Sequence, residues 1–211
     1  MSSILGEIKS NLCGGNLMEV VAEVQRALEE SVPAQDILNK GLIAGMDEVG
    51  REFKEGKLSI PEVLIRAKAM HAGLELLRPY LAGSKDHSLG TVVIGTVAGD
   101  LHDIGKNLVA MMMEGAGFEI IDLGVNVTPE KFVDTVKTSG AQVLGMSALL
   151  TTTMPSMKTT IEGLTRAGLR QGVKVLVGGA PVTAAFAKSV GADAYAPDAA
   201  TAVDMVRALL K

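Results

Sequence analysis

Two observations predict an α/β protein in two parts: an N-terminal helical bundle followed by a doubly wound, five-stranded parallel sheet. Residues 1 to about 82 lack β-branched, strand-like runs and step their apolar positions by three and four. After Gly90 the period changes, and short apolar runs alternate with helical stretches. With 211 residues, 47% of them apolar and 21% charged, the chain can bury a core of that size.

A short first helix is expected from Ser3 to Asn11, and two more over about 16–30 and 33–54, each stopping near a Gly or at a Pro. The clearest helix carries Val63, Ala67, Met70, Leu74, Leu77 and Leu81 on one face. Ser59 precedes it, with Pro61 just inside and Glu62 three residues on, a capping box. Gly83-Ser-Lys-Asp-His-Ser-Leu-Gly90 is polar, Gly-flanked and aperiodic, so it reads as a linker between a domain 1–82 and a domain 91–211. Strands are expected at Thr91–Val97, Phe118–Leu123, Gln142–Met146, Val173–Val177 and Ala192–Ala196. Helices are expected near 105–115, 128–138, 153–170, 182–189 and 198–210. The Met111-Met112-Met113 triplet reads as helix packing against the sheet, since methionine fills irregular gaps.

Composition narrows the function classes. Net charge is −4 with no Lys/Arg block, so the electrostatic footprint of a nucleic-acid binder is missing. The N-terminus has no basic region leading into an apolar core, and Cys13 is the only cysteine, so neither secretion nor a disulfide framework is supported and a cytoplasmic location is expected. Thr138 to Met157 runs 20 residues without charge, but Thr151, Thr152, Thr153 and Pro155 suit a strand and its following loop better than a membrane span.

Chemistry is expected between Gly99 and Asn107, where Gly-Asp-Leu-His-Asp-Ile-Gly-Lys-Asn places one imidazole and two carboxylates between a strand and a helix. Imidazole is the commonest transition-metal ligand, and a carboxylate two residues away can hold its second nitrogen and fix the tautomer. His102 is therefore the candidate ligand and Asp100 its support. In a sheet of order 2-1-3-4-5 the ligand crevice lies between strands one and three, so His102 would face Ser147 to Thr153. Gly178-Gly179-Ala180-Pro181 after strand four would let backbone approach a ligand closely.

Other readings of this loop fail on spacing. A phosphate-binding Walker loop needs Gly where Asp100 stands and Ser or Thr where Asn107 stands. Gly95, Gly99 and Gly105 are wrongly spaced for a dinucleotide fingerprint. A phosphoacceptor receiver needs an Asp at the end of strand three, where Ser147 stands, and a Lys after strand five. His71 on its helix and His87 in the linker read as ordinary histidines with no ligand role.

Asp100-x-His102-x-x-Gly105, then Ser147-x-Leu149, then Gly178-Gly179 resembles the ordered motif of the corrinoid proteins of methyl-transfer systems, and is similar to the cobalamin-binding module of methionine synthase. The run from Met46 to Pro61 resembles that family's helical cap. The resemblance implies a flavodoxin-like cobalamin-binding fold, with cobalamin bound base-off and His102 as lower axial ligand to cobalt. Asp100 would hold the other imidazole nitrogen and couple ligation to proton uptake, with Thr153 as the third, hydroxyl-bearing member. Gly105, Ser147, Leu149, Gly178 and Gly179 match positions that line the displaced nucleotide tail, and Asp103, Ile104 and Thr151 fall in the same matched loops. Phe53 and Ile60 match the cap residues over the methyl face.

The function implied is that of a methyl carrier between a substrate-specific methyltransferase and an acceptor methyltransferase, with a reductive activation protein as a further partner and no nucleic acid or membrane involved. The donor would be a methylamine, methanol or an aryl methyl ether, and the acceptor tetrahydrofolate or coenzyme M. Carried this way, the protein would not be a complete catalyst alone. A cobalamin-dependent mutase subunit would share the second-half motif but needs a large barrel domain. A cobalamin-based sensor would need an output domain.

Overall fold

The structure is a computed structural model and describes residues 3–81 and 88–211. Within it the chain separates into two compact units, Met1–Ser88 with Gly115–Gly117, and Leu89–Glu114 with Phe118–Lys211. The expected linker falls largely on 83–87, outside the described residues.

The first unit is helical. It comprises α1 (Ile4–Gly14), α2 (Leu17–Glu29), α3 (Ala34–Asp36), a π-helical segment (Ile37–Ile43), α4 (Ala44–Lys54) and α5 (Ile60–Leu81). Ser3 caps α1 by accepting the Gly6 N–H, and Gly15 ends it in the left-handed region. At the start of α5, Glu62 accepts both the backbone N–H and the hydroxyl of Ser59, at 2.8 and 2.7 Å. The expected continuous helix over 33–54 is corrected here, because its middle is π-wound. Buried Ile37, Leu38, Gly41, Leu42, Met46 and Val49 keep a three-and-four spacing straight through the π turns, so periodicity carries no sign of them. Small residues set the helix approaches: a Cβ on Gly41, Gly45 or Gly73 would stand 3.0 Å from Ile8, Leu12 or Leu42 respectively.

The second unit is a five-stranded, all-parallel sheet in the order β2-β1-β3-β4-β5. Its strands are β1 (Thr91–Thr96), β2 (Glu119–Asp122), β3 (Val143–Ser147), β4 (Lys174–Gly178) and β5 (Ala194–Ala196). The helices between and after them are α6 (Ile104–Gly115), α7 (Pro129–Ser139), α8 (Pro155–Arg166), α9 (Ala184–Val190) and α10 (Ala199–Leu209). Each strand and helix lies within a few residues of its expected place. The largest shortfall is α8, which starts only after the Thr151–Met154 turn and ends before Gly168, held at φ 71°. Strand β1 is buried from Val92 to Thr96, as a central parallel strand covered on both faces must be, whereas edge strand β2 is at most half-buried.

One layer of the core is built around Phe132, with Val93, Val97, Leu144, Met146, Met157, Leu164 and Val177 buried about it. Met112 and Met113 of the triplet are buried as well. No helix among the described residues is long and apolar enough to cross a membrane.

Gly95 in β1 is fixed by this packing. A Cβ there would stand 2.8 Å from the ring of Phe132, which is fully buried. Strand propensity alone favours Val at this position, whereas the packing requires that Gly95→Val destabilise the protein by about 1–3 kcal/mol in urea unfolding. A variant as stable as the wild type would show that the ring is free to shift.

Candidate functional site

The strand order reverses at β1, which neighbours β2 on one side and β3 on the other. The two polypeptide segments that leave the carboxyl ends of β1 and β3 therefore diverge from one crevice. Register brings their ends level, with Thr96 opposite Ser147 and Ser147 opposite Gly178.

Asp100 lies in the first of these loops and is fully buried. One carboxylate oxygen, Oδ1, accepts the backbone N–H of His102 at 3.1 Å and meets its ring Nδ1 at 2.7 Å. The other, Oδ2, accepts the N–H groups of Leu149 and Leu150, at 2.7 and 3.2 Å, from the loop after β3. Thr153 donates to the same oxygen at 2.8 Å, with the Leu150 carbonyl at 2.9 Å as the alternative acceptor for its single proton. Burial pulls the Asp100 carboxyl upward, but the hydrogen bonds from Leu149, His102 and Thr153 outweigh it and hold the group well below the usual carboxylate range.

An ionised carboxylate can only accept, so His102 Nδ1 carries a proton, and the tautomer this selects is the one that leaves Nε2 with the lone pair. The His102 side chain is 52% exposed, while Asp100 beneath it has no exposure. The buried Thr96 hydroxyl donates to the His102 carbonyl at 2.8 Å and braces the loop from below. Four aliphatic side chains, Leu101, Leu149 and Leu150 on the two loops and Ile104 at the start of α6, are exposed, Leu101 and Ile104 at 72% and 70%. An imidazole with a free nitrogen among exposed aliphatic groups suits a large, mostly apolar ligand with an electrophilic centre.

The expected residues thus divide. Asp100, His102, Thr153 and Leu149 form one hydrogen-bonded group, and Ser147, Gly178 and Gly179 stand together at the ends of β3 and β4. Asp103 accepts the Asn107 side-chain N–H at 3.2 Å and faces solvent, as do Ile104, Gly105 and Thr151. Phe53, half-buried near the end of α4, and Ile60, exposed at the start of α5, belong to the helical unit.

The glycines also divide by cause. Gly179 sits at φ 118°, and a Cβ on it would stand 1.9 Å from the Ala148 carbonyl, so the close approach of two loops demands it. Gly105 has nothing within 4 Å of where a Cβ would stand, so no contact within the protein requires glycine there. Sequence reasoning missed Thr96, Leu101 and Leu150. A buried threonine at the end of a central strand and leucines in polar loops were the available signals.

Among the described residues no cluster of three or more His, Cys, Asp or Glu side chains could hold a bare metal ion. One imidazole would fit a metal that arrives with its equatorial ligands already supplied by a macrocycle, and a Cβ at exposed Gly105 would meet only open space. Fold and site together define a doubly wound binding protein with a carboxylate-held imidazole at its β1/β3 crevice.

Comparison with known proteins gives the family. Two family models, each described as a B12 binding domain, match residues 4–78 and 90–204. The chain is 47% identical over 192 residues to a dimethylamine corrinoid protein of Methanosarcina acetivorans, covering 90% of each. It is 45% identical over 195 residues to a trimethylamine corrinoid protein of the same organism, covering 91% of this chain and 90% of the relative. The crystal structure of a methanol:cobalamin methyltransferase complex from Methanosarcina barkeri superimposes with a TM-score of 0.89 at 30% identity, covering 98% of this chain and 79% of that one. The chain belongs to the cobalamin-binding corrinoid proteins.

The depressed Asp100 carboxyl sets a pH dependence. A folded-state pKa below the ordinary 3.8 means that the ionised group stabilises the fold fully above that value, and that this contribution is lost as pH falls from there toward the folded-state pKa. Asp100→Asn, which turns an amide N–H toward the donors, should cost about 2–3 kcal/mol at neutral pH. In denaturant unfolding that deficit should be constant down to 3.8 and shrink below it. A deficit unchanged to about pH 2.5 would remove the carboxylate's charge from the account.

Proposed function

We propose that this protein carries a methyl group on the cobalt of a base-off corrinoid, with His102 as the lower axial ligand, between two methyltransferases. The Asp100–His102 pair, with its Nε2 lone pair at the β1/β3 crevice, carries this reading. When bound, the corrinoid supplies a cobalt centre that accepts a methyl group from one partner's substrate and yields it to another's.

The protein's own part is to bind, orient and shield. His102 presents Nε2; Asp100 keeps the proton on Nδ1 and fixes the ring plane; Thr153 and the Leu149 and Leu150 amides hold Asp100 ionised. Gly105, Ser147, Leu149, Gly178 and Gly179 would take the nucleotide tail, with Asp103, Ile104 and Thr151 along its path. In this reading residues 1–82 would act as a cap, with Phe53 and Ile60 as the residues that would shield the reactive face, and shielding of that kind must open for each partner. The relatives named for dimethylamine and trimethylamine, at 45–47% identity, favour a methylamine as donor. The acceptor methyltransferase would act on tetrahydrofolate or coenzyme M, and a reductive activation protein would restore the cobalt after adventitious oxidation.

Visible spectra after incubation with hydroxocobalamin and desalting test the core of this reading. His102→Ala should retain corrinoid through the tail contacts but lose the histidine-ligated spectrum. An unchanged spectrum would take His102 out of the cobalt's coordination.

The two glycines give a sharper test of the tail slot. Gly105→Leu should fold with wild-type stability, since nothing stands within 4 Å of its Cβ position, and yet bind cobalamin at least about tenfold more weakly. Gly179→Ala should instead lower stability, even without corrinoid, because the Ala148 carbonyl blocks its Cβ. Wild-type affinity in Gly105→Leu would exclude that residue from the binding surface.

A further inference from the structure

The loop that carries His102 is gripped by a second segment, 122–127, which runs from the last residue of β2 into the loop after it and takes no part in the hydrogen bonding of Asp100's carboxylate. Asn126 sits at φ 54°, one of two non-glycine residues at positive φ among the described residues. Its side-chain Oδ1 accepts the Gly99 N–H at 2.8 Å, and its own N–H donates to the Asp100 carbonyl at 3.0 Å. Beyond His102, the buried Lys106 ammonium pairs with Asp122 and donates to the Asn107 side chain, while Asp122 also accepts the Gly124 N–H at 2.8 Å. The site loop is thus tied to the β2 end both before and after the histidine.

We propose that Asn126 is a positioning residue for His102, an inference that rests on His102 being the cobalt ligand. Glycine would occupy a left-handed position at least cost, so an asparagine there is accounted for by what its side chain does. What it does is hold the peptide between Ala98 and Gly99. Gly99 itself is at φ 81° and, lacking a side chain, has the greatest backbone freedom of any residue in the loop. Rotation at Gly99 would swing Asp100, whose Oδ1 holds both the backbone and the ring of His102. Oδ2 is fixed to the other loop by Leu149, Leu150 and Thr153, so such rotation turns the carboxylate about that anchor and moves the imidazole. Asn126 removes this freedom without touching Asp100's carboxylate, His102 or any residue of the tail surface.

The full chain loaded with hydroxocobalamin and reduced to the cobalt(II) state provides the test by electron paramagnetic resonance. A nitrogen ligand, with nuclear spin one, splits the cobalt lines into triplets, and water does not. Wild type, His102→Ala, Asn126→Gly and Asn126→Asp are compared at the acidity where half of the wild-type signal is triplet-split. Loss of the triplets in His102→Ala establishes the ligand; their survival overturns the reading on which this inference rests, whatever Asn126 does. With the ligand established, Asn126→Gly, which keeps the left-handed backbone and deletes the acceptor, should lower the ratio of ligated to unligated cobalt at least about threefold, the scale of one net hydrogen bond. The amount of corrinoid retained should stay at the wild-type level. Asn126→Asp, which keeps an acceptor and tolerates positive φ, should restore the ratio. A wild-type ratio in Asn126→Gly, or failure of Asn126→Asp to restore it, would overturn the positioning role.

Discussion

A carboxylate with no exposure to water cannot remain charged unless the protein replaces its hydration, and the site is organised around meeting that requirement for Asp100. Three donors come from the loop after β3 and two from His102, so each oxygen is satisfied from a different segment. The consequence is mechanical as well as electrostatic. Two loops that are distant in sequence are cross-linked through one side chain, and the imidazole is aimed by the same atom that keeps its proton in place. Such a cross-link is possible only where the strands bearing the loops are neighbours. The order β2-β1-β3 supplies that adjacency, and the chain's departure to opposite sides at β1 leaves the crevice above it open.

Close approach has its own requirement, met by glycine for separate reasons. Gly95 yields its side-chain space to Phe132, so that α7 lies close on β1, and Gly179 passes against the Ala148 carbonyl. Both are demanded by the fold before any ligand is considered. Gly105 is different, because the protein leaves its Cβ space empty. Gly179 and Gly105 thus differ in kind although they fall in one motif, because packing within the protein accounts for the first and not for the second.

Much of the second unit could be read directly from the sequence, since parallel strands buried on both faces are short apolar runs separated by helical spacing, and no competing pattern exists for Val92–Thr96 or Val143–Met146. The Ser59–Glu62 cap was equally legible, because a capping box is local chemistry. What stayed hidden was non-local or non-periodic. The π turns over Ile37–Ile43 preserve the spacing of buried positions, so nothing in the pattern marks them. At the site, Asp100 and His102 are two residues apart and visible as a pair, and Thr153 came from family resemblance. Thr96, Asn126 and the Lys106–Asp122 ion pair act through contacts that only the folded loops create.

On the ligation proposed for His102, a single imidazole would suffice. A ligand that brings its own equatorial donors asks of the protein only one nitrogen, in one direction, with its proton on the far side of the ring. Direction comes from the loop braces. Proton placement comes from Asp100, and here the number of donors matters, because every hydrogen bond to Oδ2 draws charge away from Oδ1. A carboxylate with fewer donors would compete harder for the Nδ1 proton and leave the ring with imidazolate character. Leu149, Leu150 and Thr153 weaken that competition while keeping the charge in place. The far loop thereby sets how strongly the near one can donate, and a change in that loop reaches His102 through the carboxylate without any contact with the ring.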